Sequence, residues 1–454
     1  MTARGRAGAA ARRFCAASSL AIASGLGLPL RAAPAAGALD STTRDVASAL
    51  HGVPGDSVVV AAPLASDQPA PRGDELALRI AALLAGKFGG GARAYPQTAR
   101  LSVARAVAGR ASGLVYVQPV IALGELRVTV DVYPTVANAW DRIRNPLPAP
   151  ASHSFANVPL DAEIRAFLTP LLLEQAKVDR ARHGEGEVLA AACGDVDGDG
   201  GEELVLVSRS RVAIGRVRGG AFVAAKTVAW SDLALRAPVP AREALAGAVV
   251  VLGGVEVGST DRGSVGLAAD LGTPRALAGV PAWSGAGLVC LVPQPALGAF
   301  DGAPIDCAMA RDPKPAMAVP APRFDAFAAA RIADGRGGTL DVVAVREPSG
   351  RLRIKRGDDV VVPDGVVGAQ LAVGDLDQDG APDVVTTTEG GDESIAVYTL
   401  DPAAAELRLR FRLAVPEPVR ALAVCPPEDH GEPTLVAVLS GDLWLVRAAI
   451  AAAR

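Results

Sequence analysis

Apolar residues change their spacing along this chain, and each change marks an element. DSVVVAAPL (56–64) is a continuous apolar run bounded by Gly and Pro, which predicts a buried strand. DELALRIAALLAGKF (74–88) carries apolar residues at helical spacing and ends at Gly89-Gly90-Gly91, a helix stop. Ahead of both, Asp40-Ser41-Thr42 predicts the cap of a first helix that ends near His51-Gly52. A short helix through SVARAVAG follows, and then LVYVQPVIA and LRVTVDVYP alternate around Leu123-Gly124-Glu125 as a hairpin. A Pro-rich stretch from Asn145 to Pro150 leads to one more strand and a closing helix, DAEIRAFLTPLLLEQAK, bent at Pro170. The expectation for residues 39–183 is therefore a small α/β domain of order β-α-β-α-β-β-β-α.

Arg182-His183-Gly184-Glu185-Gly186 interrupts that pattern, and from Glu187 to Arg454 short apolar runs alternate with Gly, Asp and Pro. LAAACGDVDGDGGEELVLVS (189–208) nearly repeats as LAVGDLDQDGAPDVVTTT (371–388), each a strand, an acidic loop and a second strand. ARIADGRGGTLDVVAV (330–345) is a weaker copy, and RALAVCPPEDHGEPTLVAVLSGDLWLV (420–446) a degenerate one. The later copies recur about every 40–50 residues, the period of propeller blades, whose small sheets bury their faces only against one another. Residues 187–454 then make an all-β propeller of about six blades, or seven short ones. The abundance of Gly and Pro, 49 and 34 residues, suits many short strands joined by tight turns.

The acidic loops carry the candidate chemistry. Asp195, Asp197 and Asp199 alternate along a turn, so their carboxylates converge, and Gly200 permits the bend that wraps them. The Gly201 carbonyl and Glu203 complete an oxygen shell, and the second loop offers Asp375, Asp377, Asp379, the Ala381 carbonyl and Asp383. Hard oxygen donors in this number suit Ca²⁺. An EF-hand needs a bidentate Glu at position 12 and a following helix; here Leu206 and Thr386 stand there, in strands. Metal-free acidic turns are the competing reading, although four clustered carboxylates repel without a cation. Both segments closely resemble the FG-GAP/VCBS repeat family, whose motif is Asp-x-Asp-x-Asp-Gly-x-x-Asp between two strands; Glu203 stands where that family has Asp. The resemblance implies a calcium-binding propeller acting in adhesion or recognition, or in some members polysaccharide cleavage. The element order of residues 39–183 resembles the N-terminal domain of the periplasmic TolB family, in which a small α/β domain also precedes a propeller.

Location is read from the first 38 residues. Arg4, Arg6, Arg12 and Arg13 precede an apolar stretch from Phe14 to Leu30, and Ala36-Gly37-Ala38 supplies a cleavage site, which predicts a signal peptide over 1–38. Ala33-Pro34-Ala35 is a second site, and the Arg12-Arg13 pair raises the twin-arginine route. The mature chain is expected to be periplasmic or secreted, with no transmembrane segment. It keeps 40 basic against 49 acidic residues with no basic run, so nucleic acid is excluded as a partner.

Cys193 and Cys425 sit in apolar strand patterns and read as small buried hydrophobes, whereas Cys290 and Cys307 lie on successive segments that an oxidising compartment could bridge. No nucleophile elbow, zinc-protease or phosphate-loop motif occurs, and the four histidines are scattered. The expected function is a non-enzymatic binding or scaffolding module for a protein or other envelope macromolecule. A lectin or polysaccharide lyase is the alternative.

Overall fold

The computed structural model describes residues 37–451 apart from 110, 135–148, 234–246, 260–262, 273, 295–296, 309–313, 334–338, 389–391, 402–405 and 428–431. The expected signal peptide up to Ala36, Cys15, most of the Pro-rich stretch and the Glu428-Asp429-His430 turn lie outside the described residues.

Ser57–Ala61 is buried along its whole length because it is central and parallel, pairing with Arg93–Ala94 on one side and Gly113–Ala122 on the other. Gly113–Ala122 turns at Leu123-Gly124, both at positive φ, into antiparallel Glu125–Pro134, which pairs onward with Ser152–Pro159. The period-2 pattern sorts the faces. Val115, Val117, Ile121, Leu126, Val128, Val130 and Val132 join the core beneath the helices Ala38–Ala49 and Gly73–Phe88. Leu114, Tyr116 and Tyr133 pack on the other side with the short helix Leu101–Val107.

The expected closing helix is corrected. Only Ala162–Arg165 is helical, capped by Asp161 through its bond from the Ile164 amide, and Leu171–Arg182 is a strand. Pro170 breaks the helix. Beyond it Ala176 and Val178 alternate with the charged Lys177 and Asp179, a period of two that suits pairing with a distant partner. That partner is the C-terminal strand Asp442–Ile450, in antiparallel register from Arg182↔Asp442 to Leu171↔Ile450. The chain thus enters the β-rich region at Leu171, ahead of the expected hinge near Gly184.

From Val188 onward the strands form successive antiparallel sheets, each built in sequence order. Clear four-stranded examples begin at Val188–Gly194, Ala248–Val251, Ala326–Ala333 and Leu371–Gly374. The sheet that starts at Ala421–Cys425 takes Leu171–Arg182 as its outer strand. Between Val280 and Phe324 the pattern is irregular. Val280–Trp283 pairs with Leu288–Leu291, which continues through single bridges to Ile305 and from Ile305 to Pro315.

The first strands of these sheets touch in a closed order: Val188–Gly194 beside Ala248–Val251, then Val280–Trp283, Ala326–Ala333, Leu371–Gly374, Ala421–Cys425, and back to Val188–Gly194. A ring of sheets closed through its inner strands is a β-propeller. Small side chains on those strands, Ala191, Ala282, Ala329, Ala372 and Ala423 among them, leave a central channel of about 1030 Å³. Leu160 and Asp161, from the N-terminal α/β region, line the same channel.

Two cysteine pairs staple the ring. Cys290–Cys307, with Cα atoms 5.0 Å apart, holds the irregular sheet. Cys193–Cys425, at 5.1 Å, joins the innermost strands of the first and last sheets. Reading Cys193 and Cys425 as lone buried hydrophobes is therefore corrected: residues 232 apart in sequence become neighbours only because the ring closes.

Candidate metal centre

Each acidic loop joins the first strand of a sheet to its second. The first runs from Gly194 to Glu203 and the second from Gly374 to Asp383. The glycine that precedes each loop has a packing reason: a Cβ on Gly194 would stand 2.7 Å from Val251, and one on Gly374 2.5 Å from Val424, each valine belonging to a neighbouring inner strand.

The loops share one internal bonding scheme. Asp195 accepts from the Gly198 and Gly200 amides, and Asp375 from the Asp379 and Gly380 amides. Asp199 accepts from Gly201, and Asp379 from Ala381. The acid that opens the second strand reaches back, Glu203 to the Val196 amide and Asp383 to the Leu376 amide, at 2.9 and 2.8 Å. Gly200 and Gly380 take the positive φ this wrapping demands, 86° and 84°.

The carboxylate sets nevertheless differ. In the first loop, oxygens of Asp195, Asp197 and Asp199 lie within 4.8 Å of one another, and Asp197 and Asp199 are exposed. Glu203 stands outside this set, held by the Arg216 guanidinium, which also bonds Asp199 at 2.7 Å. Arg216 packs so close over the loop that a Cβ on Gly201 would meet it at 2.5 Å. The Gly201 amide and Arg216 hold the Asp199 carboxyl below the usual range.

In the second loop the converging set is Asp375, Asp377 and Asp383, again within 4.8 Å, and it is far more buried. Asp379 stands outside it. Asp377 is 3% exposed and Asp383 fully covered. Asp377 Oδ2 meets Arg410 at 3.0 Å, while its Oδ1 is buried with no hydrogen-bond partner. Burial, and then the like charge of Asp377, push the Asp383 carboxyl up to about 8, although the Thr399 hydroxyl and the Leu376 amide bond it. Burial and Asp379 raise Asp377 to about 6 against the pull of Arg410. Asp375 is also driven well upward, by burial first and then by Asp383, Asp379 and Asp377. One guanidinium serves this cluster and is shared beyond it, since Arg410 also pairs with Glu174 at 2.6 Å.

A divalent cation fits the second loop on these grounds: three acidic oxygens converge, and one buried carboxylate oxygen still wants a partner. Asp375, Asp377 and Asp383, with the Ala381 carbonyl, would hold it. In the first loop Asp195, Asp197 and Asp199 would serve, with the Gly201 carbonyl and with Arg216 competing for the acids. Pattern reading missed both arginines, which lie on later strands of the same sheets and bear no spacing relation to the loops.

One prediction follows from Arg410. Arg410→Met should widen the gap between melting with calcium and melting with chelator by about 1 kcal/mol, because the metal-free loop loses the guanidinium that pairs with Asp377. A gap that stays constant or narrows would show that Arg410 does not share the ion's task.

No protein-family model matches the chain, and no curated protein matches it. Solved structures with some likeness include BBS1N in complex with ARL6DN, at 13% identity over 59% of this chain and 94% of that one, TM-score 0.35. RRP9 WD40 repeats align at 10% identity over 62% and 99%, TM-score 0.34. TolB from Acinetobacter baumannii aligns at 13% identity over 88% of this chain and 96% of that one, TM-score 0.30. At such scores none of them carries weight beside the strand registers above.

Proposed function

We propose that this chain is an exported binding protein in which a six-bladed FG-GAP/VCBS-type propeller, dressed with calcium in two loops, presents a surface to another macromolecule of the cell envelope. The N-terminal α/β region is read as a TolB-like domain seated beside it. The observation that carries the calcium assignment is the buried, unpartnered Asp377 Oδ1 among converging carboxylates. Export is supported by the leader pattern and by two cysteine pairs, which suit an oxidising compartment. No helix among the described residues is long and apolar enough to cross a membrane.

A binding role is preferred to the lectin or lyase alternative because two of the three propeller indoles are used in cores, while the half-buried Trp283 lines the channel. Trp230 is buried and donates to the Ser208 carbonyl, and Trp444 is buried beneath Arg180.

Elemental analysis and melting test the metal. At about 2 mM calcium and a site of about 10⁻⁴ M, binding contributes roughly 2 kcal/mol per site. Chelation should lower the melting temperature modestly without collapsing the fold. Asp377→Ala should remove most of the second site's share. Asp341→Ala in the weak copy, where the acid simply pairs with Arg331, should leave the calcium dependence unchanged. Identical melting with calcium and chelator, together with no bound metal, would overturn the assignment. Co-purification from the native envelope, with and without chelator, tests for the partner; recovery of the chain alone under both conditions would count against a binding role.

A further inference from the structure

In the first acidic loop Gly198 sits at φ 76° in an exposed turn. The equivalent place in the second loop is Gln378, at φ 54°, a backbone setting uncommon for a residue with a side chain. Gln378 is 5% exposed, and both ends of its amide are engaged by the N-terminal region. Its Oε1 accepts from Arg165 Nε at 2.8 Å, and its Nε2 donates to the Leu160 carbonyl at 2.9 Å. Arg165, itself 4% exposed, passes the contact on through Nη1 to Gln68 Oε1 at 2.6 Å. Leu160 and Ile164 belong to the α/β core, so the network runs from the metal loop into that core.

We infer that the second acidic loop is a latch, whose loading with a cation holds the N-terminal α/β region onto the face of the propeller. Gln378 lies between Asp377 and Asp379, so its position is set by how the carboxylates are gathered. Without a cation the acids of this loop either repel or take up protons, and the turn that seats Gln378 against Arg165 is held less firmly. The first loop has glycine at this place, without a side chain to make such a tie, so the coupling belongs to one site. The latch rests on the proposed metal occupancy. By linkage it works in both directions: docking of the α/β region must raise the cation affinity of the second loop by the factor by which the cation favours docking.

The test measures calcium titration and amide exchange of residues 160–168 in the full chain, with calcium and with chelator. In the wild type, chelation should speed exchange in 160–168 by about fivefold or more. Arg165→Met, which changes no loop residue, should exchange fast in both conditions. It should still bind calcium at both loops, with the second site weakened by about the same factor. Gln378→Gly, which restores the turn of the first loop, should behave likewise. If chelator strips calcium while exchange in 160–168 stays unchanged, or if both variants bind calcium with wild-type affinity, the latch is wrong and the metal assignment stands. If the wild type binds no calcium, the assignment beneath it falls, and the latch with it.

Discussion

A propeller fragment starting at Glu187 is expected to lose its cooperative melting transition, whereas one starting at Pro170 should keep it. The difference is the strand Leu171–Arg182, which is the outer strand of the last sheet although it precedes the first. Leu171, Leu173 and Ala181 are buried by that pairing, Ala176 and Val178 pack into the same core, and Arg180 lies 4.4 Å over the Trp444 ring. Each fully buried leucine contributes about 1.5–3 kcal/mol. The strand as a whole is then worth on the order of 5 kcal/mol, comparable with the entire stability of an ordinary domain. Its loss also bares Asp442–Ile450 as an unpaired edge, which invites aggregation. Thermal and denaturant unfolding of the two fragments, followed by near-ultraviolet circular dichroism, decides it. Superimposable transitions would mean that the strand is dispensable.

Replacing Cys193 and Cys425 together by alanine should destabilise the oxidised protein by up to about 5 kcal/mol, the chain-entropy value for so long a loop. The pair spans 232 residues, against 17 for Cys290–Cys307, so the matching double replacement at the irregular sheet should cost less, about 3 kcal/mol. Under reducing conditions the first variant and the wild type should converge. A difference that persists with reductant would assign the effect to packing of the inner strands rather than to the covalent link.

The architecture was legible in the sequence wherever local pattern and tertiary role agreed. Continuous apolar runs gave the central strand Ser57–Ala61, alternation gave the hairpin around Leu123-Gly124, and two near-identical acidic repeats located the loops. Recognition failed where a partner lies far away in the chain. DAEIRAFLTPLLLEQAK has enough apolar residues for a helix, and only pairing with residues 442–450 makes the part from Leu171 onward a strand. Cys193 looks like a core residue until the ring brings Cys425 beside it. Arg216 and Arg410 enter the carboxylate clusters from strands with no sequence relation to them, and Gln378 occupied a position that the repeat motif leaves unspecified. Between Val280 and Phe324 the strands are short and Ile305 is joined only by single bridges, so no repeat was there to be read.

The covalent bond between the first and last sheets has a consequence for breakage. Residues 193 to 425 form a closed chemical loop, so one peptide cut within it, at a surface turn between sheets, linearises the loop without releasing either half. The cut ends also remain paired by the sheets around them. A molecule nicked in this way keeps its mass under non-reducing conditions and falls into two pieces only when thiol is added. A cut at Gly184-Glu185-Gly186 lies outside the loop and has no such protection. Damage inside the ring is therefore held by a covalent bond, while damage at its entrance leaves the α/β region and the closing strand attached only by non-covalent contacts, among them the pairing of Leu171–Arg182 with Asp442–Ile450 and the contacts of Gln378.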